Sequence, residues 1–298
     1  MEIIEQSGKI ILKDCKDFEP EHIFECGQCF RFDKKSDGSY TIVANGRAVN
    51  VSKKGEDVVI KNTGKKEYDS VWKDYFDMDT DYGQIKQELK KYDEHLSAAC
   101  DFAPGIRILN QDFHEMVISF IISARNSIPS IKKCVLFLSE HLGEKIGELE
   151  GDTLYSFPTL ESIATADMEL LKQSKAAFRA PYIKGAAQKM LEQDMKASDF
   201  DSLSADETSA VLQTLPGVGP KVADCIALFS LKKHDAFPVD VWVKRVMEEF
   251  YTNTENEHGM SLKKMRTYAM DYFKDMAGYA QQYLFYYARQ NGIGKKVK

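Results

Sequence analysis

Leu215-Pro216-Gly217-Val218-Gly219-Pro220-Lys221 closes one helical pattern and opens another with almost nothing between them. Upstream, Ser204-Ala205-Asp206-Glu207 is a capping box, in which a hydroxyl and a carboxylate satisfy orphan amides at a helix start. The helix it begins turns Val211, Leu212 and Leu215 inward, and a second helical pattern runs from Lys221 to Leu231. Two helices joined by Gly-x-Gly leave backbone N–H groups at the second N-terminus, where they can hold a phosphate without a basic side chain. Glycine suits such a turn because a Cβ would keep the backbone away from the phosphate. Taken alone, Gly217-Val218-Gly219 is equally a plain helix–helix connection.

Two features beside the turn add chemistry. Lys221 lies immediately beyond it, and Phe237-Pro238-Val239-Asp240-Val241 follows, with Asp240 nineteen residues after Lys221. Asp240 also reads as the N-cap of a following helix. Helical spacing recurs over 112–122, 131–141, 160–173, 181–193, 261–276 and 279–290, the last strongly aromatic. The stretch from about 24 to 62 reads instead as antiparallel β. Tyr40–Ala44 and Arg47–Val51 flank Asn45-Gly46, the pair that best tolerates the positive φ values of a type I′ hairpin turn. Another turn, 53–56, feeds Asp57–Ile60. The fold class is α+β, with an N-terminal β-rich domain over 1–105 and a helical domain over 106–298.

With 43% hydrophobic and 29% charged residues in 298, and only 18 Gly and 8 Pro, the chain is a folded globular one. Its longest apolar run, Met116–Ile122, is interrupted by Ser119 and falls far short of the ~20 residues of a membrane span. The N-terminus has no basic, apolar leader, so a cytoplasmic protein is expected, nucleoid-associated if prokaryotic. The net charge of −6 arises mostly in residues 1–105, which carry 16 Lys+Arg against 21 Asp+Glu; residues 106–298 carry 24 against 25. The C-terminal part can therefore still present a local basic face. Of six cysteines, only Cys26 and Cys29 have the spacing of a metal or dithiol site, and no second pair completes four ligands. Reduced thiols and no metal are expected.

With Lys221 and Asp240 in place, the sequence resembles the helix–hairpin–helix DNA glycosylases that end their motif in a Gly/Pro-rich loop and an aspartate. Within them it is similar to the 8-oxoguanine DNA glycosylase/AP lyases. Leu215 to Ile226 resembles their hairpin and nucleophile segment, and Gly27-Gln28-Cys29-Phe30-Arg31-Phe32 their N-terminal Gly-Gln-Ser-Phe-Arg-Trp. Gln111 to Asn126 resembles their helix and Asn-rich loop, and Ala280 to Phe285 their C-terminal pocket helix. The likeness runs in order from about 20 to 290. It implies a sheet domain like the TATA-binding-protein repeat, joined to a helical glycosylase body.

The resemblance implies a reaction. A nucleotide must leave the duplex before its C1′ is open to attack. Lys221 would displace the base and carry a Schiff base, from which β-elimination nicks the strand. A lysine near pKa ~10.4 is protonated, so the site has to free its lone pair. Asp240 would stabilise the oxocarbenium-like sugar and assist proton transfer. Gly27 matches a glycine whose carbonyl accepts the N7–H that 8-oxoguanine has and guanine lacks. Cys225 and Phe285 match residues that sandwich the base, Gln281 the reader of its Watson–Crick edge, and Pro238 a position whose carbonyl faces it. DNA contacts fall to Gly217, Val218, Gly219, Arg125, Asn126, Phe178 as wedge, Arg179 and Trp242. No cofactor is implied beyond a possible structural cation on hairpin carbonyls near Leu215 and Val218.

The departures concern the strand opposite the lesion. Arg125-Asn126-Ser127 stands where eukaryotic members have three asparagines, and Ser130 where they have an arginine. Phe178 replaces a tyrosine, and Trp242 a histidine. A weaker preference for cytosine opposite the lesion is expected. The partner is double-stranded DNA containing 8-oxoguanine, bound by a monomer. Two alternatives carry different sequence demands. A monofunctional alkyl-base glycosylase shares the plan but lacks a lysine at the hairpin end. A non-catalytic DNA-binding module has no need of Lys221, Asp240, Gly27 and Gln281 together. Iron–sulfur relatives need four C-terminal cysteines, and the last here is Cys225.

Overall fold

The computed structural model describes residues 2–252 and 259–294. Six strands form one antiparallel sheet in the order β1-β2-β6-β5-β4-β3. They are β1 (Ile3–Gln6), β2 (Lys9–Leu12), β3 (Phe32–Lys34), β4 (Tyr40–Ala44), β5 (Arg47–Lys54) and β6 (Asp57–Lys61). Asn45 and Gly46 take φ of 51° and 67°, the left-handed pair a type I′ turn requires. Strands β1 and β2 lie outside the expected β region; Ser7-Gly8, at φ 49° and 73°, makes the same kind of turn between two four-residue strands too short to show alternation. Ile10, Leu12, Val49, Val51, Val58 and Ile60 are fully buried on one face of the sheet, beneath Phe18, Phe24, Trp72 and Phe76.

The longer helices are α1 (Pro20–Phe24), α2 (Tyr82–Leu89), α3 (Glu94–Phe102), α4 (Phe113–Ser123), α5 (Ile128–Leu142), α6 (Leu160–Thr165), α7 (Ala180–Glu192), α8 (Ala205–Leu212), α9 (Pro220–Ser230), α10 (Val241–Val246), α11 (Leu262–Phe273) and α12 (Ala277–Asn291). They enclose a second core, and α4 runs through its middle with ten of its eleven residues buried. Helices α2 and α3 precede the boundary expected at 105, yet Leu89, Leu96 and Ala99 join this helical core. A hairpin of β7 (Lys145–Leu149) and β8 (Asp152–Tyr155) follows α5 and had no clear sequence signal. The single helix expected over 160–173 is broken. Ala166 is extended, at φ −54° and ψ 144°, and Asp167 starts a new turn by accepting the Glu169 amide. An Asx side chain capping its own successors outcompetes helix continuation.

Arg31 ties the two cores together. Its guanidinium reaches Glu115 at 3.4 Å, donates to the Tyr155 carbonyl and sits 5.9 Å from the centre of the Phe157 ring. Burial pushes the Glu115 carboxyl up to about 7, against the pull of Arg31. A carboxyl whose folded-state pKa is raised contributes stability at low pH, and that contribution is lost as pH rises from about 4.5 to about 7. The stability of the wild type relative to Glu115→Gln should therefore fall across that window. Urea melts of both proteins at pH 5 and pH 8 check this, and parallel pH dependences would refute it.

Candidate active site

The hairpin forms where the capping box placed it. Ser204 and Glu207 exchange bonds at the start of α8, and the chain then turns through 215–219 into α9. The two glycines do different work. Gly217 has φ 81°, and a Cβ there would meet the Tyr182 side chain at 2.7 Å and Ile121 at 3.2 Å, so internal packing demands it. Gly219 has an extended φ of −100°, and a Cβ there would meet nothing within 4 Å of the protein. Internal packing therefore requires glycine at Gly217 and leaves the space beside Gly219 open. Val218 is buried and its amide bonds to the Leu215 carbonyl, which removes one expected donor. Helix α9 has no side-chain cap, so its first amides remain open toward the outside.

Lys221 sits in the first turn of α9, half-buried, with Nζ 3.5 Å from Ser123 Oγ and 5.3 Å from the centre of the Phe120 ring. Asp240 caps α10 with one carboxylate oxygen that accepts Trp242 N at 2.9 Å and Val243 N at 2.8 Å. Burial raises the Asp240 pKa above the ordinary aspartate range, while those amides and Lys221 pull it back. Among the described residues no ion pair within 4.0 Å joins Lys221 to Asp240. Lys221 thus shares the cleft with Asp240 without being locked to it.

Both groups line one cleft of about 600 Å³, together with Gly27, Arg125, Asn126, Cys225, Pro238, Trp242, Gln281 and Phe285. Ten residues from five stretches of sequence meet there. Lys221, Cys225 and Phe229 face it because they recur every four residues on α9. Cys225 is buried and its thiol is pushed up to about 11 by desolvation, so it is a neutral wall. Gly27, at φ 79°, approaches the Phe285 ring so closely that a Cβ would lie 3.1 Å from it. Gln281 is 4% exposed, and its Oε1 is buried without a partner. A larger groove of about 990 Å³ adjoins the cleft and shares Phe30, Ile128, Pro129 and Arg289, but holds neither Lys221 nor Asp240. The chemistry selects the smaller one.

The remaining expected residues lie outside the cleft. Phe178 is 57% exposed, as a wedge requires. It follows Lys175 and Ala177 at φ 65° and 54°, positive values that strain non-glycine residues and recur at functional turns. Arg179 differs from expectation. It is buried, donates to the Ala124 carbonyl at 2.7 Å and to the Arg125 carbonyl at 3.0 Å, and lies 4.4 Å from the Phe178 ring centre. It ties the wedge to the 124–126 loop and is spent on carbonyls rather than offered to phosphate. Asn126 is also partly engaged, donating to the Ile122 carbonyl and accepting from Ser127 N. Ser130 helps close the N-cap of α5 through Ser127.

Cys26 and Cys29 are buried free thiols, with Cys26 pushed up to about 11 and Cys29 also pushed well up, both by desolvation. Among the described residues no group of three or more His, Cys, Asp or Glu is arranged for a metal, and no helix is long and apolar enough to cross a membrane. Sequence reasoning missed Gln28, Gln111 and Gln282, the buried amides around Gly27. Long polar side chains at helix and loop positions give no sign of burial.

Residues 10–117 match the family described as the N-terminal domain of 8-oxoguanine DNA glycosylase, and residues 118–270 the HhH-GPD superfamily of base excision DNA repair proteins. The probable N-glycosylase/DNA lyase of Methanothermobacter thermautotrophicus is 30% identical over 69% of this chain and 70% of its own length. The N-glycosylase/DNA lyase OGG1 of Arabidopsis thaliana is 29% identical over 88% and 75%. The Clostridium acetobutylicum 8-oxoguanine glycosylase/lyase, solved with double-stranded DNA containing cytosine opposite 8-oxoguanine, superimposes with a TM-score of 0.93. It is 43% identical and covers 98% of this chain and 99% of that one.

Proposed function

The chain belongs to the HhH-GPD superfamily of base excision DNA repair proteins, among its 8-oxoguanine glycosylase/lyases, and we propose that Lys221 and Asp240 carry its chemistry. It is a bifunctional DNA glycosylase and lyase acting on 8-oxoguanine in duplex DNA. The observation that carries the residue assignment is the meeting of Lys221 and Asp240 in a cleft walled by Gly27, Cys225, Gln281 and Phe285.

The open N-terminus of α9 binds a backbone phosphate through its amides, and Phe178 fills the space the extruded nucleotide leaves. The base enters between the Cys225 thiol and the Phe285 ring. Gln281, whose buried oxygen lacks a partner, reads its Watson–Crick edge, and a Pro238 carbonyl faces it. The Gly27 carbonyl accepts the N7–H of 8-oxoguanine. Guanine presents an acceptor there, which leaves two lone pairs opposed and a buried carbonyl unsatisfied.

Neutral Lys221 Nζ donates its lone pair to C1′ as the N-glycosidic electrons leave with the base. Asp240 stabilises the positive sugar and relays protons between amine and ring oxygen. Opening of the sugar gives the imine, and loss of a C2′ proton expels the 3′ phosphate. A cation on the hairpin carbonyls would hold the turn, since among the described residues the Leu215 oxygen accepts only the Val218 amide and keeps a lone pair, and no step passes through it.

Borohydride trapping tests the reading. A duplex with one 8-oxoguanine opposite cytosine should give a covalent adduct and a nicked strand. Opposite adenine the excision rate should fall by less than about tenfold, because the arginine aligned with Ser130 is gone and one lost base contact is worth ~1–3 kcal/mol. Base release without an adduct would make the enzyme monofunctional, and strong selectivity for cytosine would refute the relaxed preference.

A further inference from the structure

The turn that carries Gly27 is gripped by side chains from elsewhere in the fold. The Glu25 carbonyl accepts Arg289 Nη1 at 2.7 Å. The Cys26 carbonyl accepts Gln282 Nε2 at 2.9 Å, and the Gln28 carbonyl accepts Gln111 Nε2 at 2.8 Å. Among the described residues, the Gly27 carbonyl alone in this turn forms no hydrogen bond. Gln282 is 1% exposed, so its bond to the Cys26 carbonyl is made where water is scarce, with the Cys26 thiol as a second neighbour. Its neighbour Gln281 faces the cleft with an unpaired oxygen. Helix α12 thus holds the base-facing Gln281 and Phe285 and, through Gln282 and Arg289, the backbone of the turn opposite them.

We propose that Gln282, supported by Arg289, is a positioning residue for lesion discrimination: it holds the Cys26 carbonyl so that the turn presents the Gly27 carbonyl, and no other, to the base. This rests on reading Gly27 as the acceptor of N7–H. The physical basis is the freedom of glycine. With Gly27 at φ 79°, the 26–27 peptide has a glycine on one side that tolerates both signs of φ, so its plane can flip at little steric cost. A flip would turn the Cys26 carbonyl outward, beside the Gly27 carbonyl, and the Gly27 N–H inward. The base would then meet two carbonyls instead of one, and the second would oppose its own oxygens and keep it from seating on the Gly27 acceptor. A buried amide clamped on the Cys26 oxygen opposes the flip, and fixing Gln281 on the same helix keeps both recognition points at one spacing.

The test compares two reactions of one enzyme. Gln282→Met keeps side-chain length while removing the donor. Single-turnover excision of 8-oxoguanine opposite cytosine should fall about tenfold, the effect of misplacing one buried acceptor. Nicking of a preformed abasic site by the same variant should stay within about twofold of wild type, because no base is there to meet Gly27. A merely structural role would lower both rates together, and that result, or no change in either, overturns the proposal. Wild type that nicks abasic sites without excising 8-oxoguanine would show, before any variant is made, that the underlying reading of the base pocket is wrong. Should Gln282→Met not fold, Arg289→Met releases the Glu25 carbonyl from a half-buried position and carries the same comparison.

Discussion

Lys221→Gln is expected to abolish the borohydride-trapped adduct and to lower 8-oxoguanine release by at least about 10³-fold, while binding to the lesion duplex persists. The expectation follows from how little else Lys221 does. Its Nζ lies 3.5 Å from Ser123 Oγ, the Cys225 thiol is a second neighbour, and no ion pair within 4.0 Å fixes it to Asp240 among the described residues. Glutamine fills nearly the same space at the second position of α9 and leaves the amides of the helix start untouched. The fold and the phosphate contact therefore survive, and the loss falls on the covalent step. Among the described residues the cleft's other lysine, Lys244, pairs with Glu248 at 3.4 Å, and Arg289 is committed to the Glu25 carbonyl. Gel shifts and trapping assays on one duplex check both halves. An adduct of undiminished yield from Lys221→Gln would remove Lys221 from the mechanism.

How much of this was legible depended on whether a residue's role is set by its neighbours in sequence. Gly217-Val218-Gly219 and Asp240 act through their own backbone surroundings, a turn and a helix start, and both are where their local chemistry put them. Lys221 and Cys225 share a helix face four residues apart, which periodicity also gives. The engagement of Arg179 with the Ala124 and Arg125 carbonyls was not legible, because only the fold brings those carbonyls to it. The two glycines of the hairpin look alike in sequence, yet Tyr182 decides that one is internal and one faces outward. Gln28 and Gln282 are the strongest case. Each is almost fully buried among carbonyls contributed by distant segments, and nothing in an isolated glutamine announces that. Strands β1 and β2 escaped for a simpler reason, because four residues are too few to establish alternation.

Asp240→Asn separates the two roles that one carboxylate combines. Asparagine caps a helix about as well as aspartate, so the bonds to Trp242 N and Val243 N should persist and stability should change by less than about 1 kcal/mol. The negative charge disappears, and with it the group that faces the sugar as positive charge develops on it. Removing one preorganised electrostatic partner of a transition state typically costs 10²–10³ in rate, and base release by Asp240→Asn should fall by about that factor. The pH profile adds a second sign. Burial raises the Asp240 pKa, so wild-type excision should decline on acidification at a higher pH than an ordinary aspartate would give, since the ionised form is the useful one. Asp240→Asn has no carboxyl to protonate and should lack that limb. Melting curves, single-turnover rates and their pH dependence measure all of this on one pair of proteins. A variant that excises within tenfold of wild type would leave Asp240 as a helix cap alone, and would shift the work of stabilising the sugar to the helix start beside Lys221.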